Sequence, residues 1–272
     1  MTPIKQTRSL KQTKSRFLVP NAFTAFSFLL GIYVILLATD ALPSLLNSKS
    51  NIIFACHLIV ICALLDKLDG FAAKLLNASS EFGAQFDSLA DLIAFGVAPG
   101  MVMIYAYQAY APNWYADNKI ILMLFLAVYV LCAAIRLARY NAVDAAAHPD
   151  WFVGLPSTFV GALNALTLIL AFQYNFFREG SALLLVPALM LITTALLMVA
   201  PLYLPKLKVR KNKLINLIQI GGIATGYTLG FAMLYSEIIL FLIMTYALVG
   251  LVLGLVHRRD VESNEPGDHA AA

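Results

Sequence analysis

Four aspartates carry the most specific chemistry in this sequence. Asp66, Asp69, Asp87 and Asp91 fall within LDKLDGFAAKLLNASSEFGAQFDSLAD, residues 65–91. Separations of three and four residues place side chains on one face of a helix. Asp66 therefore pairs with Asp69 at the end of one apolar segment, and Asp87 with Asp91 at the start of the next. The short connection between the segments makes them antiparallel neighbours, so the four carboxylates converge at one depth. An uncompensated charge inside a membrane helix costs about 2.5 kcal/mol or more, and four together also repel one another. Two divalent cations bridged by shared carboxylates would cancel that charge, and all-oxygen ligation favours Mg²⁺ or Mn²⁺ over zinc. A two-metal centre stabilises both the attacking and the leaving oxygen of a phosphoryl displacement. A phosphate-containing substrate is the expected consequence. Gly70 and Ala73 beside the first pair, and Gly83 one turn before Asp87, would let a flat or phosphorylated ligand approach the backbone, although each alone also suits helix packing.

The elements that must position these residues are membrane helices. The chain has 272 residues, 61% hydrophobic and 12% charged, whereas soluble domains carry about 25% charged residues. A transmembrane helix needs roughly 20 mostly apolar residues. Eight segments approach or meet that length: 20–38, 51–76, 83–109, 119–141, 156–174, 181–204, 214–235 and 237–257. The expected fold is an all-α integral membrane protein of about eight spans. A basic cytoplasmic segment, 1–19, precedes a six-helix catalytic core, 20–204. A basic loop and two further helices follow over 205–260, and the tail 261–272 is expected to be disordered. Pro99 falls inside the third span, where a membrane helix tolerates proline if neighbours satisfy the freed carbonyl.

Basic residues retained on the cytoplasmic side set the orientation. Lys5, Arg8, Lys11, Lys14 and Arg16 precede span one, Lys206, Lys208, Arg210, Lys211 and Lys213 lie between spans six and seven, and Arg258 and Arg259 follow span eight. Both termini and the aspartates are thereby expected to face the cytoplasm, in an inner-membrane protein. The first span is too long for a secretory leader and lacks an A-x-A cleavage site. The net charge of +4 comes from clusters flanking the spans, which suits topology and anionic headgroups; no nucleic-acid partner is expected. Cys56, Cys62 and Cys132 lie in apolar spans without CxxC spacing and read as small hydrophobes. His57, nine residues before Asp66, and His148 offer no ligand spacing such as HExxH. An ion transporter would spread its charges across the membrane depth, often with helices broken near the midplane, whereas these four gather at one level.

The spacing D-x2-D-G-x2-A-K-x8-G-x3-D-x3-D, from Asp66 to Asp91, resembles the signature of the CDP-alcohol phosphotransferases. That resemblance implies a six-helix core, a homodimer and two metals held by Asp66, Asp69, Asp87 and Asp91, with Asp91 also serving as general base for the acceptor hydroxyl. It further implies that Gly70, Ala73 and Gly83 border the cytidine diphosphate. Lys74 stands where the family commonly has arginine; it keeps the charge for diphosphate contact and loses the planar bidentate fork.

Further stretches resemble the phosphatidylserine synthase branch of that family: Pro20-Asn21 with Thr24, DLIAFGVAPG at 91–100, RLARYN at 136–141 and FVGLPST at 152–158, with LMVAPLYLPKLK at 197–208 a looser likeness. The resemblance implies CDP-diacylglycerol and L-serine as substrates. Glycerol 3-phosphate, inositol phosphate and choline remain alternative acceptors. Arg136 and Arg139, three apart at the end of span four, share a face and could bind serine's carboxylate or the lipid phosphate; equally, they could simply end a helix at the cytoplasmic boundary. Asn141 and Ser157 could add polar contacts, although Ser157 also suits a helix-start cap. Spans seven and eight are expected to pack, with Gly221, Gly222, Gly226 and Gly230 making a close helix contact within the chain or between subunits.

Overall fold

The computed structural model describes residues 4–39, 48–76, 80–144, 147, 150–178, 180–206 and 213–264. Among them the α-helices are α1 Ile4–Ala38, α2 Ser48–Leu75, α3 Glu81–Asp91, α4 Ala98–Tyr110, α5 Pro112–Arg139, α6 Ser157–Gln173, α7 Val186–Val199, α8 Lys213–Phe231 and α9 Ser236–Asn264. Among the described residues, six segments are long and apolar enough to cross a membrane by length and composition: Asn21–Ala38, Lys49–Leu68, Glu81–Tyr110, Pro112–Val143, Ala182–Val199 and Ser236–Val256. Ser157–Gln173 is a shorter apolar helix. The chain is an all-α multi-pass membrane protein, and each of the eight expected spans overlaps a helix along most of its length. Span five is α6, of 17 residues, and span seven is α8, of 19 residues.

Several boundaries differ from the sequence reading. α1 begins at Ile4, so the basic segment is a helical extension of span one. α5 starts at Pro112, seven residues before the expected start at 119, with Pro at its first turn where a missing N–H costs nothing. α7 stops at Val199 and not at 204, because Ala200 is extended and Pro201 follows it. The chain then forms a two-stranded antiparallel ribbon, β1 Trp151–Val153 with β2 Tyr203–Pro205, in the register Phe152 to Leu204. α9 runs to Asn264, past the expected start of the tail at 261; residues 265–272 lie outside the described residues.

α1 packs along α2, α2 along α6 and α5 along α7. α6 is buried on nearly every side, as a helix apolar all round must be in the middle of a bundle. α3 and α4 form one long helix joined by a π-helical segment, Leu92–Val97. Proline 99 explains the need for it: Pro99 has no N–H to donate to the carbonyl of Phe95 four residues earlier. Tyr129 of α5 donates its hydroxyl to that carbonyl at 2.7 Å. The expected mid-span proline is thus accommodated by a neighbouring side chain.

Two glycines let neighbours close on the π segment. A Cβ on Gly161 of α6 would lie 2.8 Å from the Cβ of Phe95, and one on Gly31 of α1 would lie 3.1 Å from the Cα of Ala94. α8 packs on α2, with Gly230 against Leu64 and the Tyr227 hydroxyl donating to the Leu64 carbonyl at 3.0 Å. Gly221, Gly222 and Gly226 have no atom within 4 Å of an added Cβ, so the close contact within the chain reduces to Gly230. α9 lies against β2 and α6, where Tyr246 donates to the carbonyl of Pro205 at 2.9 Å.

Candidate metal and phosphoryl-transfer site

α3 starts with Ser80 as its N-cap, the Ser80 hydroxyl accepting from the Gly83 N–H at 3.0 Å. Glu81 in the first turn suits the positive end of the helix. From this start, Asp87 and Asp91 project from α3 toward Asp66 of α2. Asp66, Asp87 and Asp91 each offer one carboxylate oxygen within 4.8 Å of the others. Asp69 lies in α2, one turn beyond Asp66; its side chain lies outside those described.

Asp91 is the deepest of the three, 7% exposed, at the junction between α3 and the π segment. Its Oδ2 accepts from the Ser157 hydroxyl at 3.1 Å. Arg136 of α5 donates from Nη1 to the same Ser157 oxygen at 3.1 Å. Asp66 Oδ2 accepts from the Thr158 hydroxyl at 3.1 Å and from Lys67 Nζ at 2.8 Å. Ser157 and Thr158 are consecutive at the start of α6, so one helix end touches carboxylates from both α2 and α3.

The two arginines read together in the sequence part company. Arg136 is buried beside Ser157, with its guanidinium 5.2 Å from the Tyr140 ring centroid. Arg139 turns toward main-chain carbonyls, donating to Val153 at 2.7 Å and to Val199 at 3.1 Å. Asn141 is exposed and donates to the Ser88 hydroxyl at 2.8 Å. Ser157 is fully buried and is the first residue of α6, with Pro156 in the N-cap place; it is not a cap. Gly70 is exposed, with no atom within 4 Å of an added Cβ. A Cβ on Gly83 would stand 3.0 Å from the Ser80 hydroxyl and 3.3 Å from Asn21 Oδ1. The side chains of Ala73 and Lys74 lie outside those described.

Two contributors escaped the sequence reading. Thr158 was visible only as part of FVGLPST, and nothing in its spacing marks a partner 92 residues earlier. Lys67 follows Asp66 directly and so does not share the helix face of Asp66 and Asp69. Its flexible stem nonetheless brings the ammonium to Asp66, while the side chain stays 61% exposed. Of the histidines, His57 bonds through Nδ1 to the Ile53 carbonyl one turn earlier, at 2.8 Å, and His148 lies outside the described residues. The three cysteines are buried free thiols.

The donor set fits a hard divalent cation: carboxylate oxygens only, close enough to share an ion, in a membrane protein where their charges need cancelling.

The chain matches the CDP-alcohol phosphatidyltransferase family over residues 17–200, from within α1 to the end of α7. It is 36% identical over 192 residues to a CDP-diacylglycerol–serine O-phosphatidyltransferase of Helicobacter pylori, covering 71% of this chain and 73% of that one. Enzymes of the same name are similar in Bacillus subtilis, 35% identical over 159 residues (58% of this chain, 77% of that one), and in Mycobacterium tuberculosis, 35% over 158 residues (56% and 49%). With the aspartates of the signature gathered on α2 and α3, the chain belongs to the CDP-alcohol phosphatidyltransferase family and is a membrane enzyme of that family.

Proposed function

We propose that this enzyme transfers the phosphatidyl group of CDP-diacylglycerol to the hydroxyl of L-serine, forming phosphatidylserine and releasing CMP. The observation that carries the reading is the approach of Asp66, Asp87 and Asp91 within 4.8 Å, beside buried Arg136. The names of the relatives support serine as the acceptor.

Asp66, Asp69, Asp87 and Asp91 would hold two divalent cations, Mg²⁺ or Mn²⁺. Bound there, the cations supply charge neutralisation for the diphosphate and for the attacking and leaving oxygens. Asp91 takes the proton of the serine hydroxyl as the new O–P bond forms and the bond from phosphorus to CMP breaks. Its burial keeps competing water from that proton transfer. The open face at Gly70, with Ala73 and Gly83 nearby in sequence, borders the cytidine diphosphate, and Lys74 meets its phosphates. Arg136 offers a charged donor to serine's carboxylate or to the lipid phosphate.

The site opens at the cytoplasmic face of the inner membrane in this reading, because the basic segments at 5–16 and 206–213 mark the cytoplasmic ends of spans one, six and seven, and alternation of the spans puts the connection between α2 and α3 on the same side. The working unit is a homodimer, as the family resemblance implies.

The test is CMP release by detergent-purified protein given CDP-diacylglycerol and Mn²⁺ or Mg²⁺. Serine is compared with glycerol 3-phosphate, inositol phosphate and choline. Serine-dependent release abolished by chelator is expected. Release driven by another acceptor would remove serine and keep the transfer chemistry.

A further inference from the structure

α6 opens with two hydroxyl residues in succession, and each donates to a different aspartate. Ser157 reaches Asp91 Oδ2 and Thr158 reaches Asp66 Oδ2, both at 3.1 Å. Asp91 belongs to α3 and Asp66 to α2, so one helix start spans both halves of the cluster. Both hydroxyl residues are buried, Ser157 completely. A hydroxyl carries a single proton, so each bond commits its donor to the carboxylate. Arg136 donates to the Ser157 oxygen from the other side, which turns the Ser157 proton toward Asp91. Each bond engages one carboxylate oxygen and leaves the second of each pair as a prospective ligand.

The start of α6 is itself held in place. Gly154, with φ of +77°, donates its N–H to the Leu202 carbonyl at 2.7 Å, and Leu155 donates to Leu197 at 3.0 Å. Arg139 bonds the Val153 carbonyl just before that turn and the Val199 carbonyl at the end of α7. Two hydroxyls fixed to a rigid helix start can hold two carboxylates at a set separation, which flexible side chains on α2 and α3 would not keep unaided.

We propose that Ser157 and Thr158 are positioning residues of the metal centre: a paired hydroxyl clamp that sets the mutual orientation of Asp66 and Asp91 and thereby raises affinity for the divalent cation. The proposal rests on the reading of these aspartates as metal ligands. It departs from the expectation that Ser157 contacts the acceptor, and it brings in Thr158. Groups that orient metal ligands typically account for 10–100-fold in metal affinity.

The test is Mn²⁺ binding to the full-length, detergent-purified protein without lipid or serine, followed by the paramagnetic resonance signal of free Mn²⁺. Wild type is compared with Asp66→Asn, Thr158→Val, Thr158→Ser and Ser157→Ala, each shown by its metal-free melting transition to be folded. Thr158→Val keeps the shape and removes the hydroxyl; it should weaken binding about 10-fold. Ser157→Ala should weaken it likewise, and Thr158→Ser, which keeps the donor, should stay close to wild type. Wild-type affinity in Thr158→Val, in protein whose binding falls with Asp66→Asn, overturns the clamp and leaves the metal centre standing. Equal losses in Thr158→Val and Thr158→Ser assign the effect to packing and also overturn the clamp. Absence of binding in wild type, or binding indifferent to Asp66→Asn, overturns the metal centre itself and the clamp with it.

Discussion

Ser157 and Asp91 are 66 residues apart in the chain, and the Ser157 hydroxyl donates to the Asp91 carboxylate at 3.1 Å. The contact ties α6 to the point where α3 passes into its π segment. Asp91 thus sits at the end of α3, directly before a π segment on which Gly161 and Gly31 close at Phe95 and Ala94. Such packing leaves little room for the carboxylate to drift, and precise placement is what a proton-accepting group needs.

Asp91→Asn keeps the size of the side chain and removes its ability to take a proton. Serine-dependent CMP release should fall about 100-fold or more, with the melting transition of the purified protein retained. Activity within a few-fold of wild type would remove Asp91 from the base role.

Gly70 faces open space, so Gly70→Ala meets no protein atom and gains up to about 1 kcal/mol of helix propensity. Folding should be intact or slightly more stable, while the KM for CDP-diacylglycerol rises because the new methyl stands where the nucleotide is placed. An unchanged KM would move the nucleotide elsewhere.

Arg139→Lys replaces a fork that bonds two carbonyls with a single ammonium. Loss of charge-assisted bonds costs about 1.5–3 kcal/mol. A lower melting temperature with the KM for serine near wild type is expected. The opposite pattern, a raised KM with unchanged stability, would restore Arg139 to the acceptor pocket.

Tyr129→Phe removes the hydroxyl that serves the Phe95 carbonyl, a buried acceptor that Pro99 cannot reach. Destabilisation of about 1–3 kcal/mol is expected, read as a lower midpoint in thermal unfolding of the solubilised protein. No change would mean that another N–H of the π segment satisfies Phe95.

The helices were legible in the sequence wherever apolar runs were long, since composition alone decides which segments belong in lipid. Their ends were less so: nothing local in 197–208 announces that residues 203–205 pair with 151–153. The same division runs through the site. The spacing of Asp66, Asp69, Asp87 and Asp91 is a property of two adjacent helices and their short connection, and for Asp66, Asp87 and Asp91 it places the carboxylates together. The separate fates of Arg136 and Arg139 are not a property of spacing. Both occupy the last turn of α5, and which one turns to Ser157 depends on where α6 begins and α7 ends.

The sequence by itself determined the membrane class, the helices and the acidic cluster, because hydrophobic length and i, i+3 and i, i+4 periodicity are written within a single segment. Only the tertiary structure decided which groups surround that cluster. Thr158 reaches Asp66 across 92 residues and Tyr129 reaches Phe95 across 34. Hydrogen bonds of that kind are set by how helices cross, and a crossing depends on packing surfaces contributed by several segments at once.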